Sequence, residues 1–210
     1  MTICLLGGSG RTGRLVVQEA QERGLSLLVV VRGDAAQRGR TPGVTSVVAP
    51  HLAAPEVVEA VRASTVVLSA LGPRRTTRPH ELARPVGVLA DAAAGVGARV
   101  VLTSAAPVGA PHLGENQAYR RVGHPLVQRV FARAYAELLR MEQAVSDSGV
   151  EHVVLRPPRL LDGGGRAYRA DPTGAVLGGR SLDRVALAVA LLDAVEQPDW
   201  TGRTVGLARA

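Results

Sequence analysis

No lysine occurs anywhere in the 210 residues, so all 25 Lys-plus-Arg positions are arginine. Any proton relay that depends on a lysine amine is therefore excluded. Aromatic residues make up only 2% of the chain, too few to stack on bases. The arginines are scattered, with short clusters only at Arg74, Arg75 and Arg78 and at Arg120 and Arg121. The net charge of +7 is thus not expected to serve nucleic acid. The single cysteine, Cys4, lies in the first apolar run and can form no internal disulfide. The five histidines and that cysteine show no metal-ligand spacing, and there is no Gly-x-Ser-x-Gly nucleophile elbow. No apolar stretch approaches the roughly 20 residues needed to cross a bilayer. The opening Met1-Thr2-Ile3-Cys4 lacks the basic region of a signal peptide. The expectation is a soluble, cytoplasmic chain with neither a metal nor a membrane partner.

What the chain does have is a 46% hydrophobic content built from Val, Leu and Ala. Short Val/Leu runs mark strands buried on both faces of a parallel sheet. Such runs, at 2–6, 25–31, 44–48, 65–71, 98–103, 151–155 and 204–207, alternate with helical patterns. Those helices are expected at 11–23, weakly from Asp34, and at 55–62, 79–94, 125–147 and 181–195, the last capped by Ser181. Strand–helix alternation of this kind means βαβ units with right-handed crossovers. The fold class is α/β: a Rossmann-type doubly wound parallel sheet with helices on both faces and a small C-terminal extension on the substrate side. Residues 1–210 read as one domain. Residues 105–124 and 157–180 are long, largely irregular loops after strand ends, where ligands bind in open α/β sheets.

Gly7-Gly8-Ser9-Gly10-Arg11-Thr12-Gly13 lies directly between the first strand and the first helix. In that context the glycines have distinct tasks. Gly7 permits the tight turn, Gly10 lets backbone approach a pyrophosphate, and Gly13 allows close helix packing. The diphosphate then meets unpaired N–H groups at the positive end of a helix. At the end of the second strand, where NAD-preferring folds carry an acid for the ribose 2′-hydroxyl, stands Arg32. Its guanidinium suits a 2′-phosphate, so NADP(H) is preferred over NAD(H). Asp34 two residues on, and a merely solvated arginine, are the competing readings.

Together these residues resemble the atypical short-chain dehydrogenase-like proteins, including the NmrA-like proteins and biliverdin-IXβ (flavin) reductase. The likeness rests on residues 7–13, Val31-Arg32, Leu71-Gly72-Pro73-Arg74, Thr103-Ser104-Ala105, Ser148-Gly149-Val150 and Leu155-Arg156-Pro157-Pro158. It implies that Ser9, Gly10, Arg11 and Thr12 line the pyrophosphate and that Arg32 meets the adenosine phosphate. It places Leu52 by the adenine, Leu71, Gly72 and Arg74 along the cofactor, and Pro157 near the nicotinamide. The Asp often found after the third strand is His51 here.

Many short-chain dehydrogenases pair a catalytic Tyr with a Lys four residues later. The resemblance puts Ala134 and Leu138 in those slots, so that dyad is missing, as it is in the biliverdin-IXβ-like proteins. Hydride transfer itself needs mainly geometry. Ser104 is the candidate hydrogen-bond donor to developing negative charge, against a plain strand-end role. Tyr135, about 100° around the helix from the vacant Tyr slot, is a candidate proton donor, against a structural tyrosine. Glu137 and Arg133 are weaker candidates on the same helix, and His112 and His124 lie in the expected substrate loop. Arg74, Arg75, Arg78, Arg120, Arg121, Arg159 and Arg166 are expected near the cleft mouth, where they would suit a small anionic substrate. Three functions remain open: an NADPH-dependent reductase, a non-catalytic NAD(P)-binding regulator, and a non-redox isomerase or cyclase. Oligomeric state is not legible, since no heptad pattern announces a partner.

Overall fold

A computed structural model describes residues 1–31, 42–74 and 76–210. Arg32 and the helix expected from Asp34 lie outside the described residues, as does Arg75. Ten strands and six α-helices are arranged as β1 (Thr2–Leu6), α1 (Arg11–Glu22), β2 (Ser26–Val31), β3 (Val44–Val48), α2 (Pro55–Arg62), β4 (Val66–Ser69), α3 (Ala83–Ala94) and β5 (Arg99–Thr103) among the described residues of the first half. The second half follows with α4 (His124–Val130), α5 (Ala132–Asp147), β6 (His152–Arg156), β7 (Arg159–Leu161), β8 (Tyr168–Asp171), β9 (Ser181–Asp183), α6 (Arg184–Asp193) and β10 (Arg203–Arg209).

The main sheet has the order β3-β2-β1-β4-β5-β6-β10-β8, parallel except for the antiparallel edge strand β8. The order reverses between β1 and β4, the switch point of a doubly wound sheet. Period-two alternation splits β1 between two cores. Ile3 and Leu5 face the layer of α1 and α6, while Cys4 and Leu6 face α2, α3 and α5. Burial pushes the Cys4 thiol up to about 12, which leaves it a small apolar filler. Among the described residues no helix is long and apolar enough to cross a membrane.

Three expectations need correcting. Helix α3 starts at Ala83 rather than residue 79, because the chain before it makes a turn in which His80 takes φ 64°. The helix expected over 125–147 breaks at Phe131 (φ −108°, ψ 22°) into α4 and α5. Pro125 has no N–H to donate, and the turn before it (Tyr119–Gly123) is a π-helix closed by the His124 N–H on the Tyr119 carbonyl. Residues 157–180 are largely irregular, as expected, but they also carry two short strands: β7, which pairs in parallel with β9, and β8, which extends the sheet edge. Ser181 lies inside β9, so the residue at the N-cap of α6 is Asp183. The pairing strands of this extension come from distant sequence, and their short runs have no periodicity of their own.

Candidate cofactor and substrate site

The carboxyl ends of β1, β4, β5 and β6 are neighbours in the sheet, which gathers four connecting loops above the switch point. Gly7 takes φ 85°, a conformation that favours glycine, and a side chain there would crowd Ala70 and Leu71. The Gly10 N–H donates to the Gly7 carbonyl at 2.9 Å and closes the turn. A Cβ on Gly13 would overlap the Gly7 carbonyl and lie 2.7 Å from Gly8 Cα, so helix and loop touch backbone to backbone. Gly8 has a task the sequence did not reveal: a Cβ there would collide with Val29 on β2.

Helix α1 therefore opens with no side-chain cap and no acid in its first turn. The N–H groups of its opening residues have no intrahelical partners and point out of the helix end. That is a cradle for an anion, and it fits the diphosphate of a dinucleotide. Ser9 and Arg11 are exposed and Thr12 is half-buried beside it. Arg11 is paired with Asp162, which also pairs with Arg184 at the start of α6. Two arginines on one carboxylate leave the opening net positive. Asp162 and Arg184 escaped sequence reading because Asp162 lies 151 residues from Arg11 and Arg184 further still, with no motif to mark them.

Leu71 lies against Gly7 at the end of β4. Gly72 and Arg74 are exposed, and the backbone N–H of Arg74 donates to the Thr77 hydroxyl at 2.8 Å. Leu52 packs against the second core, and His51 is exposed after β3. Pro157 is buried, and its carbonyl accepts the Ala106 N–H at 2.8 Å, tying the loop after β5 to the end of β6.

Ser104 follows β5 directly and its N–H donates to Leu155 at 2.8 Å. Its hydroxyl is buried and has no partner among the described residues, as are those of Ser69 and Thr103. Three unpaired buried hydroxyls at adjacent strand ends are unusual, since such groups ordinarily find partners. Tyr135 does not share this character. It is half-buried against the second core, 5.8 Å from the Phe131 ring, and burial and then Tyr119 push its hydroxyl pKa up.

A small pocket of about 30 Å³ lies between the loop after β5, the end of β6 and β10. Arg156, His112, Tyr119 and His124 are among its walls. Most of the polar groups here are already engaged. Arg156 makes a two-pronged ion pair with Glu142 at 2.5 and 3.0 Å, over a Gly109 that has no room for a Cβ. His124 donates from Nε2 to the Gly109 carbonyl at 3.0 Å. His112 Nδ1 accepts the Gly114 N–H at 2.9 Å. Glu115 takes Arg180 and the Gly178 N–H, and Arg180 stacks 3.8 Å over the Tyr119 ring. Arg166, expected at the cleft mouth, instead pairs with Glu19 and Glu22 on α1. Glu137 is likewise structural: its carboxylate accepts the N–H groups of His80, Leu82 and Ala83 and so caps α3. No group of metal-ligating side chains occurs among the described residues.

The profile of the NAD(P)H-binding family matches residues 7–198, from the first glycine of the loop almost to the end of the chain. This chain belongs to the NAD(P)H-binding family. A search of curated proteins finds no match. Solved structures resemble this NAD(P)H-binding protein over its full length. The anaerobilin reductase ChuY from Escherichia coli O157:H7 superposes with a TM-score of 0.76 at 20% identity, covering 100% of this chain and 97% of its own. A wide-type short-chain dehydrogenase/reductase from Veillonella parvula, in complex with NADP, gives 0.77 at 16%, with 99% and 94% covered. The oxidoreductase ylbE from Lactococcus lactis gives 0.73 at 11%, with 100% and 91% covered. Identities this low establish a shared fold and nothing finer.

Proposed function

We propose that this NAD(P)H-binding protein is an NADPH-dependent reductase whose acceptor is a small carbonyl, flavin-like or conjugated compound. The observation that carries the reading is the combination of an uncapped α1 opening behind Gly7 and Gly10 with the unpartnered Ser104 hydroxyl two strands away. Ser9, Gly10, Arg11 and Thr12 would hold the diphosphate, Leu71, Gly72 and Arg74 the adjoining part of the cofactor, Leu52 the adenine side, and Pro157 the nicotinamide side. When bound, a reduced nicotinamide supplies a hydride. Everything else falls to the chain.

Ser104 has a free O–H in a buried position, where a hydrogen bond to an acceptor's oxygen or ring nitrogen strengthens as that atom gains negative charge. Pro157 and Ala106 close the adjoining backbone, which limits water at that end. The proton that completes reduction comes from Tyr135 or from solvent. Tyr135 keeps its proton through the neutral range, as a phenol ordinarily does, and burial and Tyr119 raise its pKa further.

The test is NADPH consumption by the purified protein with a panel of quinones, flavins and aldehydes. Ser104→Ala is expected to lower turnover about tenfold or more while cofactor affinity holds. Its melting temperature should not fall, because the substitution removes a buried hydroxyl that has no partner. Equal turnover would remove Ser104 from the mechanism. Undiminished turnover in Tyr135→Phe assigns the proton to solvent. Arg32→Asp is expected to shift the NADPH/NADH affinity ratio towards NADH by about tenfold, and an unchanged ratio would rule out a 2′-phosphate contact. The lack of any lysine, and hence of the Tyr–Lys pair, favours a second reading as a cofactor-binding regulator. Tight NADPH binding without turnover on any acceptor would establish that reading instead.

A further inference from the structure

Between Asn116 and Ala136 the sequence has four arginines and no acid. The acids at its two ends are both withdrawn from the surface. Glu115 has a side chain 8% exposed and is paired with Arg180, while Glu137 is 2% exposed and caps α3. Apart from Asn116 and Gln117 at its start, what this segment exposes to solvent is cationic or apolar.

The apolar part is ordered along a helix. The π-turn Tyr119–Gly123 runs without interruption into α4. Val122, Leu126 and Val130, four residues apart, are 65%, 58% and 66% exposed, with Phe131 at 52% beyond them. Spacing of i, i+4, i+8 puts the three on one face. Tyr119 and His124 of the same stretch line the pocket. Arg120, Arg121, Arg129 and Arg133 are all exposed along the same stretch. Leu113, 81% exposed, adjoins it through the hydrogen bond from Arg120 to its carbonyl. A row of large apolar side chains in water with arginines beside it is the pattern of a helix that lies in a bilayer surface.

We infer that residues Tyr119–Phe131 form a docking surface for an anionic phospholipid bilayer. Val122, Leu126, Val130 and Phe131 would enter the headgroup–acyl boundary, and the four arginines would meet lipid phosphates. Charge decides between occupants. A second copy of the chain would bring a like-charged face against this one, whereas an anionic bilayer complements it. The absence of a spanning helix does not bear on this surface, since a helix lying in the interface need not be long or uniformly apolar. Docking would set the pocket that Tyr119 and His124 line just beneath the headgroups.

The experiment is co-sedimentation of the full chain with phosphatidylglycerol/phosphatidylcholine vesicles, against phosphatidylcholine alone, at low and high salt. Binding is expected only to the anionic vesicles and is expected to weaken with salt. Leu126→Glu with Val130→Glu should abolish it. Arg129→Ala, or Arg133→Ala, should reduce partitioning about fivefold each. NADPH affinity measured on the same variants reports that they are folded, because none of these residues is placed at the cofactor. No binding to anionic vesicles overturns the inference, as does equal binding to neutral ones or unchanged binding by the double variant. A self-associating chain whose dimer is broken by Leu126→Glu, without vesicle binding, gives the face to a second copy and also overturns it.

Discussion

Replacing Glu137 with alanine is expected to destabilise the fold by about 3–5 kcal/mol, the range for stripping one partner from a buried charged network. The carboxylate is 2% exposed, and it receives N–H groups from His80 at 2.8 Å, Leu82 at 2.9 Å and Ala83 at 3.0 Å. Arg140 adds a longer contact at 3.4 Å. Helix α3 has no cap of its own, so Glu137 reaches across from α5 to satisfy its opening turn. The alanine variant would leave the N–H groups of buried Ala83 and half-buried Leu82 without an acceptor, and that of exposed His80 to water, along with a void. For a chain of this length that loss corresponds to a fall in melting temperature of roughly 6–20 °C. Glutamine retains one acceptor oxygen but turns an NH2 towards the remaining donors, so it should rescue only in part.

The same site sets a pH dependence. Burial alone would raise the Glu137 pKa, yet the three N–H groups and Arg140 outweigh it and the carboxyl stays below its ordinary value. A depressed folded-state pKa contributes stability that is fully present above the unfolded carboxylate value. It is lost as pH falls through the folded value. Wild type should therefore lose stability on acidification below about pH 4 more steeply than Glu137→Gln does. Parallel acid-denaturation curves for the two proteins would show that the carboxylate is not the group that matters.

Gly13→Ala is expected to weaken reduced-cofactor binding by roughly tenfold to hundredfold, from about 1–3 kcal/mol of overpacking. The added Cβ has nowhere to go. It meets the Gly7 carbonyl and Gly8 Cα, both backbone, and Gly8 in turn is held against Val29. Relief requires the loop to move away from the opening of α1, which spoils the N–H cradle. Isothermal calorimetry with NADPH gives the answer directly, with urea unfolding as the check on stability. Affinity equal to wild type would mean that the loop shape does not govern cofactor binding. Gly164→Ala is a useful contrast, because nothing surrounds a Cβ at that position and it is not among the residues assigned to the cofactor.

Gly13 could be chosen from its place in a glycine pattern between a strand and a helix. Glu137 could not: one acid on a helix face looks the same in sequence whether it is solvated or caps another helix. The same holds for Ser104. Its place after β5 was legible, but that its hydroxyl is buried and unpaired depends on how three neighbouring strands end. Arg156 is comparable, since a charged residue closing a buried strand calls for a partner, yet nothing local designates Glu142. The late start of α3 followed from the turn at His80, and helical periodicity ran straight through both that turn and the break at Phe131.

By itself the sequence determined the local order: Val/Leu runs that become parallel strands, a glycine loop joining β1 to α1, and the absence of lysine that forbids a Tyr–Lys pair. Each of these depends on residues a few positions apart, or on composition, so periodicity and side-chain chemistry suffice to read it. Tertiary structure alone decided that β7 pairs with β9 and that Asp162 reaches Arg11. It likewise decided that Glu137 caps α3 and that Val122, Leu126 and Val130 remain uncovered. Burial and pairing between distant segments are set by the packing of the whole chain, and no local pattern encodes them.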